Sequence, residues 1–241
     1  MSTVIFKVMP SGKQYLCDKN NARYASPVLD RILHGAGAEH QMNIETTSEA
    51  VELLIQWIEQ HERPFFDRLI LPYFAYIDCQ REPQEYARYP AEYNTRKFVE
   101  CRNNIRSLIG VWYLAANLEI TPLMSTALVL IDTIITMYGF AGWGYVASEI
   151  NWETGNGMAY FFLGLWAWRL QTSHGEVSQC LETLPKKVRD SVEALVESWA
   201  SIRYEGQRPN PKDEIYQITG TIDDQPSEDS QPIDGQPTVL D

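Results

Sequence analysis

Histidine and cysteine are scarce in this 241-residue chain, with four of each. Cys17, Cys79, Cys101 and Cys180 stand far apart and form no C-x-x-C pair. That excludes a zinc ribbon or a thioredoxin-type dithiol. Residues 1–9 lack a basic start followed by an apolar core, and no N-x-[ST] acceptor occurs, so the expectation is reduced thiols inside a cell, cytoplasmic or nuclear. His34, His40, His61 and His174 show neither H-E-x-x-H nor a pairing with cysteine at zinc spacing. His34, Glu39 and His40 lie together, but in a glycine-rich connection that reads as a solvated loop rather than a metal site. No G-x-S-x-G, P-loop or G-x-G-x-x-G is present. Gly142-Trp-Gly144 and Gly155-Asn-Gly157 lack the strand-to-helix context that phosphate binding requires. No catalytic residue, cofactor or metal is therefore expected, and the chain reads as a non-enzyme.

Basic residues are also few, 20 Lys and Arg against 32 Asp and Glu, for a formal net charge of -12. Nucleic-acid affinity depends on Lys and Arg displacing counterions, so direct DNA or RNA binding is not expected. The negative charge is concentrated at the end. From Glu205 onward nine acids face only Arg208 and Lys212, among five prolines and few large apolar residues. Such a composition cannot offset the entropy of ordering, so 205–241 is expected to be a disordered acidic tail. The one long apolar run, Ser125 to Ser148, holds Asp132, three glycines and no basic flank. Positive flanks normally anchor a span, so a buried core helix that breaks near Gly139 is expected instead of a membrane segment.

What the chain does contain is alternation and helical periodicity. Val4–Met9, a Pro10-Ser-Gly-Lys13 turn and Gln14–Cys17 read as a β-hairpin. Cys17 then falls on a half-buried strand, where a packed thiol is expected rather than a nucleophile. Ala22, Ala25, Val28, Leu29, Ile32 and Leu33 recur at helical spacing, with Ser26-Pro27 placed to restart a helix as cap and first position. Gln41–Glu45 is a third strand candidate. Thr46-x-x-Glu49 reads as a capping box ahead of a helix with Val51, Leu54, Ile55 and Ile58 on one face. A second helix carries Ile105, Leu108, Ile109, Trp112 and Ala116. A third opens at Thr121-Pro122 as cap and first position. Between the first two lies an aromatic, proline-punctuated insertion, about 63–103, in which Phe65–Ile77 suggests a packed helix or strand and 81–95 an exposed polar loop. Helices are expected again at Met158–Leu170 and Val188–Ile202.

The segment Tyr15–Leu33 aligns without a gap to F-x-V-H-x-x-x-L-x-x-x-S-x-x-F-x-x-x-L, with Ser26, Leu29 and Leu33 matching by identity or type. Ile44 and Glu49–Ile58 follow the pattern of a strand and an x-x-F-x-x-L-x-x-W-[IL]-Y helix. Leu108–Leu123 follows L-x-x-L-Y-x-L-A-D-x-L-x-[IM]-x-x-L over sixteen residues. In these segments the chain resembles the BTB/POZ family. The insertion and the Trp-containing C-terminal stretch resemble the BTB proteins of filamentous fungi. Asp18 and Glu59 depart from the family, standing where His and Tyr are usual.

The resemblance implies an α+β BTB/POZ fold, a small three-stranded sheet flanked by a helical bundle. It would span 4–138 with the insertion at about 63–103, a C-terminal helical extension at 139–204 and the acidic tail at 205–241. It also implies a protein-interaction module whose partner is another BTB domain or a cullin-type scaffold, as in ubiquitin-ligase adaptors. Only three residues precede the first strand, so the swapped dimer that some members form with an upstream strand and helix is not expected. Two other functions stay open from the residues: a transcription- or chromatin-associated regulator recruiting proteins, and a helical enzyme with an unrecognised site. Candidate partner-binding residues are Phe65, Phe66, Tyr73 and Phe74 in the insertion, and Trp166 and Trp168 in the C-terminal helices. The two tryptophans are two residues apart and cannot share one helix face.

Overall fold

The computed structural model describes residues 2–35, 37, 39–60, 91–138, 147, 149–152, 157–172, 181–182, 184–201 and 208–211. Strand β1 (Thr3–Met9) alternates partly exposed and buried positions, placing Val4, Phe6 and Val8 on one face of the pleat. Gly12, at φ 72°, lets the following turn close, its amide donating to the Val8 carbonyl at 2.8 Å. The chain returns antiparallel as β2 (Gln14–Asp18). Two seven-residue helices, α1 (Lys19–Ala25) and α2 (Pro27–Leu33), then carry it across. Strand β3 (Glu39–Glu45) therefore pairs parallel to β1, and the sheet order is β2-β1-β3. A parallel return needs such a crossover, because no tight turn can reverse the chain twice.

Helix α3 (Ser48–Gln60) packs on β2, with Val51, Leu54 and Ile58 fully buried and Ile55 partly so. Its cap lies one residue beyond the expected one. Thr47, not Thr46, accepts from the Ala50 amide at 3.2 Å, so the capping box at Thr46 and Glu49 does not form. Thr46 instead faces α4, where a β-carbon added to Gly110 would lie 3.1 Å from its hydroxyl oxygen and 3.0 Å from Cβ of Ala50. That close approach is what Gly110 permits.

Helix α4 (Ala91–Asn117) is 27 residues long and starts well before the Ile105 stripe. Residues 91–95, expected in an exposed polar loop, are helical, as is the last part of the expected insertion. The remainder of the insertion, including Phe65–Ile77, lies outside the described residues. Helix α5 (Thr121–Tyr138) ends one residue before Gly139. Thr121 is already helical, since Ile120 accepts from the Met124 amide at 3.2 Å, so Pro122 stands second rather than first. Helices α6 (Gly157–Thr172) and α7 (Lys186–Ser201) pack against each other. The described residues thus form a mixed α+β structure with one three-stranded sheet and seven helices.

A single hydrophobic cluster runs from Val4, Phe6 and Ile44 on the sheet through Leu54, Trp112 and Ile131 to Phe161, Trp166 and Val192. Each fully buried Leu or Phe in it contributes about 1.5–3 kcal/mol over leaving it exposed. Among the described residues no helix is long and apolar enough to cross a membrane.

Candidate interaction surface

Three polar joints hold the N-terminal elements in place. Ser26, fully buried, caps α2 by accepting from the Leu29 amide at 3.1 Å, as its position before Pro27 predicts. Its hydroxyl also donates to the Leu118 carbonyl at 2.6 Å, across 92 residues of sequence. The α4–α5 connection that presents this carbonyl is a Schellman-type end, with Glu119 left-handed at φ 57°. The Ile120 amide bonds the Ala115 carbonyl at 2.8 Å and the Glu119 amide bonds that of Ala116 at 3.2 Å. The Glu119 carboxylate reaches Arg31 of α2 at 3.0 Å. The third joint is made by two of the family departures. Asp18 caps α1, its carboxylate accepting from the Asn20 and Asn21 amides at 2.8 and 3.1 Å, while its own amide donates to Glu59 of α3 at 2.9 Å.

These joints leave an apolar surface facing solvent. On the outer side of the sheet Leu16 is 66% exposed and lies directly across from partly exposed Ile5. On the helical side Tyr24 is 86% exposed in α1, with Ile32 exposed in α2. Arg23 and Asp30 form an ion pair at 2.7 Å between the same two helices. Tyr24 and Ile32 thus put an aromatic and an aliphatic side chain on the same two helices as a charged pair, residue types that protein contacts use. The β3 edge is different in kind. Glu39, Gln41, Asn43 and Glu45 are exposed along it, the polar dressing that discourages indiscriminate strand pairing. Sequence periodicity gave no signal for Leu16 or Tyr24, since each stands on the polar side of its own element.

The candidate tryptophans separate. Trp166 is buried in the core, stacked on Trp152 at 5.6 Å and tilted against Phe162 at 6.4 Å. The physical reason is the apolar surround of α6, where Met158, Phe161, Phe162 and Leu165 are all buried with it. Trp168 sits at the core's margin, with the guanidinium carbons of Arg169 and Arg208 at 5.0 and 5.8 Å from its ring centroid. Phe65, Phe66, Tyr73 and Phe74 lie outside the described residues. Trp57 is half-buried and Trp112 fully buried, edge-on to Tyr113 at 5.3 Å, which makes both helix stripes core rather than groove.

The electrostatics are concentrated at two buried acids. Burial, with Glu59 and Asp18 nearby, pushes the Cys17 thiol up to about 12, which keeps it protonated and unreactive. Asp132 in α5 is buried, and desolvation raises its carboxyl above the ordinary range despite Arg208 and Arg169 pulling it down. Arg208 reaches it with one nitrogen 2.6 and 2.7 Å from the two carboxylate oxygens. Residues 208–211, expected in a disordered tail, are therefore placed against α5, and Pro209 is buried. The lone charge of the apolar run was visible in the sequence, but its partner 76 residues away was not. Among the described residues no group of three His, Cys, Asp or Glu could hold a metal ion, and His34, Glu39 and His40 lie exposed or half-exposed. Comparisons with models of protein families, with curated proteins and with solved structures gave no match.

Proposed function

We propose that the chain is a protein-interaction module of BTB/POZ type, which engages another protein through the outer sheet face and the α1–α2 surface. The observation that carries the reading is where the pattern-matching residues stand. Ser26, Leu29 and Leu33, then Leu54 and Ile58, then Leu108, Trp112, Ala115, Leu118 and Leu123 are buried in one core with the β2-β1-β3 sheet, and Trp57 is half-buried against it. These residues build a scaffold, and the large apolar side chains left exposed on the described residues include Leu16, Tyr24 and Ile32. An interaction module is defined by such a surface rather than by converging catalytic groups. The partner implied by the resemblance is a second BTB domain or a cullin-type scaffold.

The test uses the full chain as bait in affinity purification with mass-spectrometric identification, beside Leu16→Glu and Tyr24→Ala variants of unchanged circular dichroism. A direct titration with a cullin scaffold and a sedimentation measurement of self-association accompany it. The reading requires a BTB or cullin partner, or self-association, that at least one variant weakens tenfold. If neither a cullin nor a BTB chain is bound and no self-association occurs at concentrations where a known adaptor binds, the proposal is wrong.

A further inference from the structure

A charged carboxylate inside an apolar helix is costly to keep without a cation beside it. Asp132 lies one residue from Ile131, which is buried, and its side chain is 12% exposed. Arg169 of α6 acts on it from a distance, but the cation in hydrogen-bond contact comes from 208–211, the described start of the acidic C-terminal stretch. Both carboxylate oxygens lie within hydrogen-bond distance of Arg208, and the same guanidinium stands 5.8 Å from the Trp168 ring centroid. One guanidinium nitrogen serves both carboxylate oxygens while the group stands within cation–π reach of the indole, so the carboxylate charge and the aromatic ring both hold the arginine. Pro209, immediately after it, is buried as well.

We propose that Asp132 of α5 and Trp168 of α6 form an arginine receptor whose resident ligand is Arg208 in the chain's own segment 208–211. The receptor joins the last helix of the N-terminal unit to the first long C-terminal helix. Beyond residue 211 the sequence holds eight acids and one lysine, so the latch lies next in sequence to the most acidic stretch of the chain.

The probe is a fluorescein-labelled peptide of the sequence Gln-Arg-Pro-Asn-Pro-Lys-Asp, titrated by anisotropy against the full-length chain. The Arg208→Ala chain, whose own ligand is gone, should bind it at least tenfold more tightly than wild type. Adding Asp132→Asn, or separately Trp168→Ala, to that chain should cost tenfold or more, and a peptide with alanine for arginine should not saturate. Equal binding by Arg208→Ala and Arg208→Ala/Asp132→Asn, or by both peptides, overturns the proposal. Should Arg208→Ala fail to fold, hydrogen exchange decides instead. The Arg208 and Asn210 amides of an Asp132→Asn chain should exchange at least tenfold faster than in wild type, and unchanged rates reject the receptor.

Discussion

Replacing Ser26 with alanine deletes one oxygen atom that makes two bonds, and the loss of each can be followed separately. Oγ accepts from the Leu29 amide at 3.1 Å and donates to the Leu118 carbonyl at 2.6 Å, with the residue fully buried. Losing the cap costs about 1 kcal/mol. Leaving the Leu118 carbonyl without its donor in a site water does not reach costs about 1–3 kcal/mol more. The expected total is about 2–4 kcal/mol, a large part of the roughly 5–15 kcal/mol that folded domains possess. In urea, with a slope of about 2–3 kcal/mol per molar, the midpoint should fall by roughly 1 M at unchanged slope. Tryptophan fluorescence reports it, because Trp112 and Trp166 are both buried. Ser26→Gly separates the two bonds, since glycine tolerates the cap position at a cost of only a few tenths of a kcal/mol. Its remaining loss measures the bond to Leu118. A Ser26→Ala change under about 0.5 kcal/mol, within the scatter of ordinary surface substitutions, would refute the joint. Full wild-type stability in Ser26→Gly would refute the Leu118 part alone.

Gly110→Val should destabilise by about 1–3 kcal/mol through overpacking, although valine is the better helix former. Ala50 Cβ at 3.0 Å is borne directly on the backbone and cannot rotate aside; a chain as stable as wild type in urea would show that α3 and α4 do not meet there. Cys17, with its thiol pushed up to about 12, should resist alkylation at pH 8 in a variant whose other three cysteines are serine. Labelling by an aromatic disulfide should track unfolding, and fast labelling of the native chain would contradict the burial. For Asp132 the folded-state carboxyl lies above its unfolded value, so between the two the native state holds the extra proton. Stability from this group is therefore present below the unfolded value and lost as pH rises through the folded one. The urea stability of wild type minus that of Asp132→Asn should decline from pH 3.5 toward neutrality, and a rising difference would reverse the assignment. The charged groups acting on Asp132 are Arg208 and Arg169.

Local pattern determined most of the elements, though not the helical start at 91–95, which reads locally as a loop. Alternation in Val4–Met9 and the three-and-four spacing of Val51, Leu54 and Ile58 report neighbours a few residues away, and those neighbours are set by backbone geometry. Ser26-Pro27 was readable for the same reason, because a cap bonds its own helix. The capping box was misread by one residue at Thr46 because choosing between two adjacent threonines depends on Gly110, 64 positions on in α4. The partners of Ser26, Asp18 and Asp132 lie 92, 41 and 76 residues away, and no periodicity carries that information. Likewise, the sequence showed that Trp166 and Trp168 must face different ways but not which one enters the core. That choice depends on Trp152 and Phe162 filling one side of α6, and on Arg208 arriving at the other. Chain-local forces thus decided most of the elements, while burial of charge and close packing between distant segments decided the joints, the latch and which apolar side chains stay exposed.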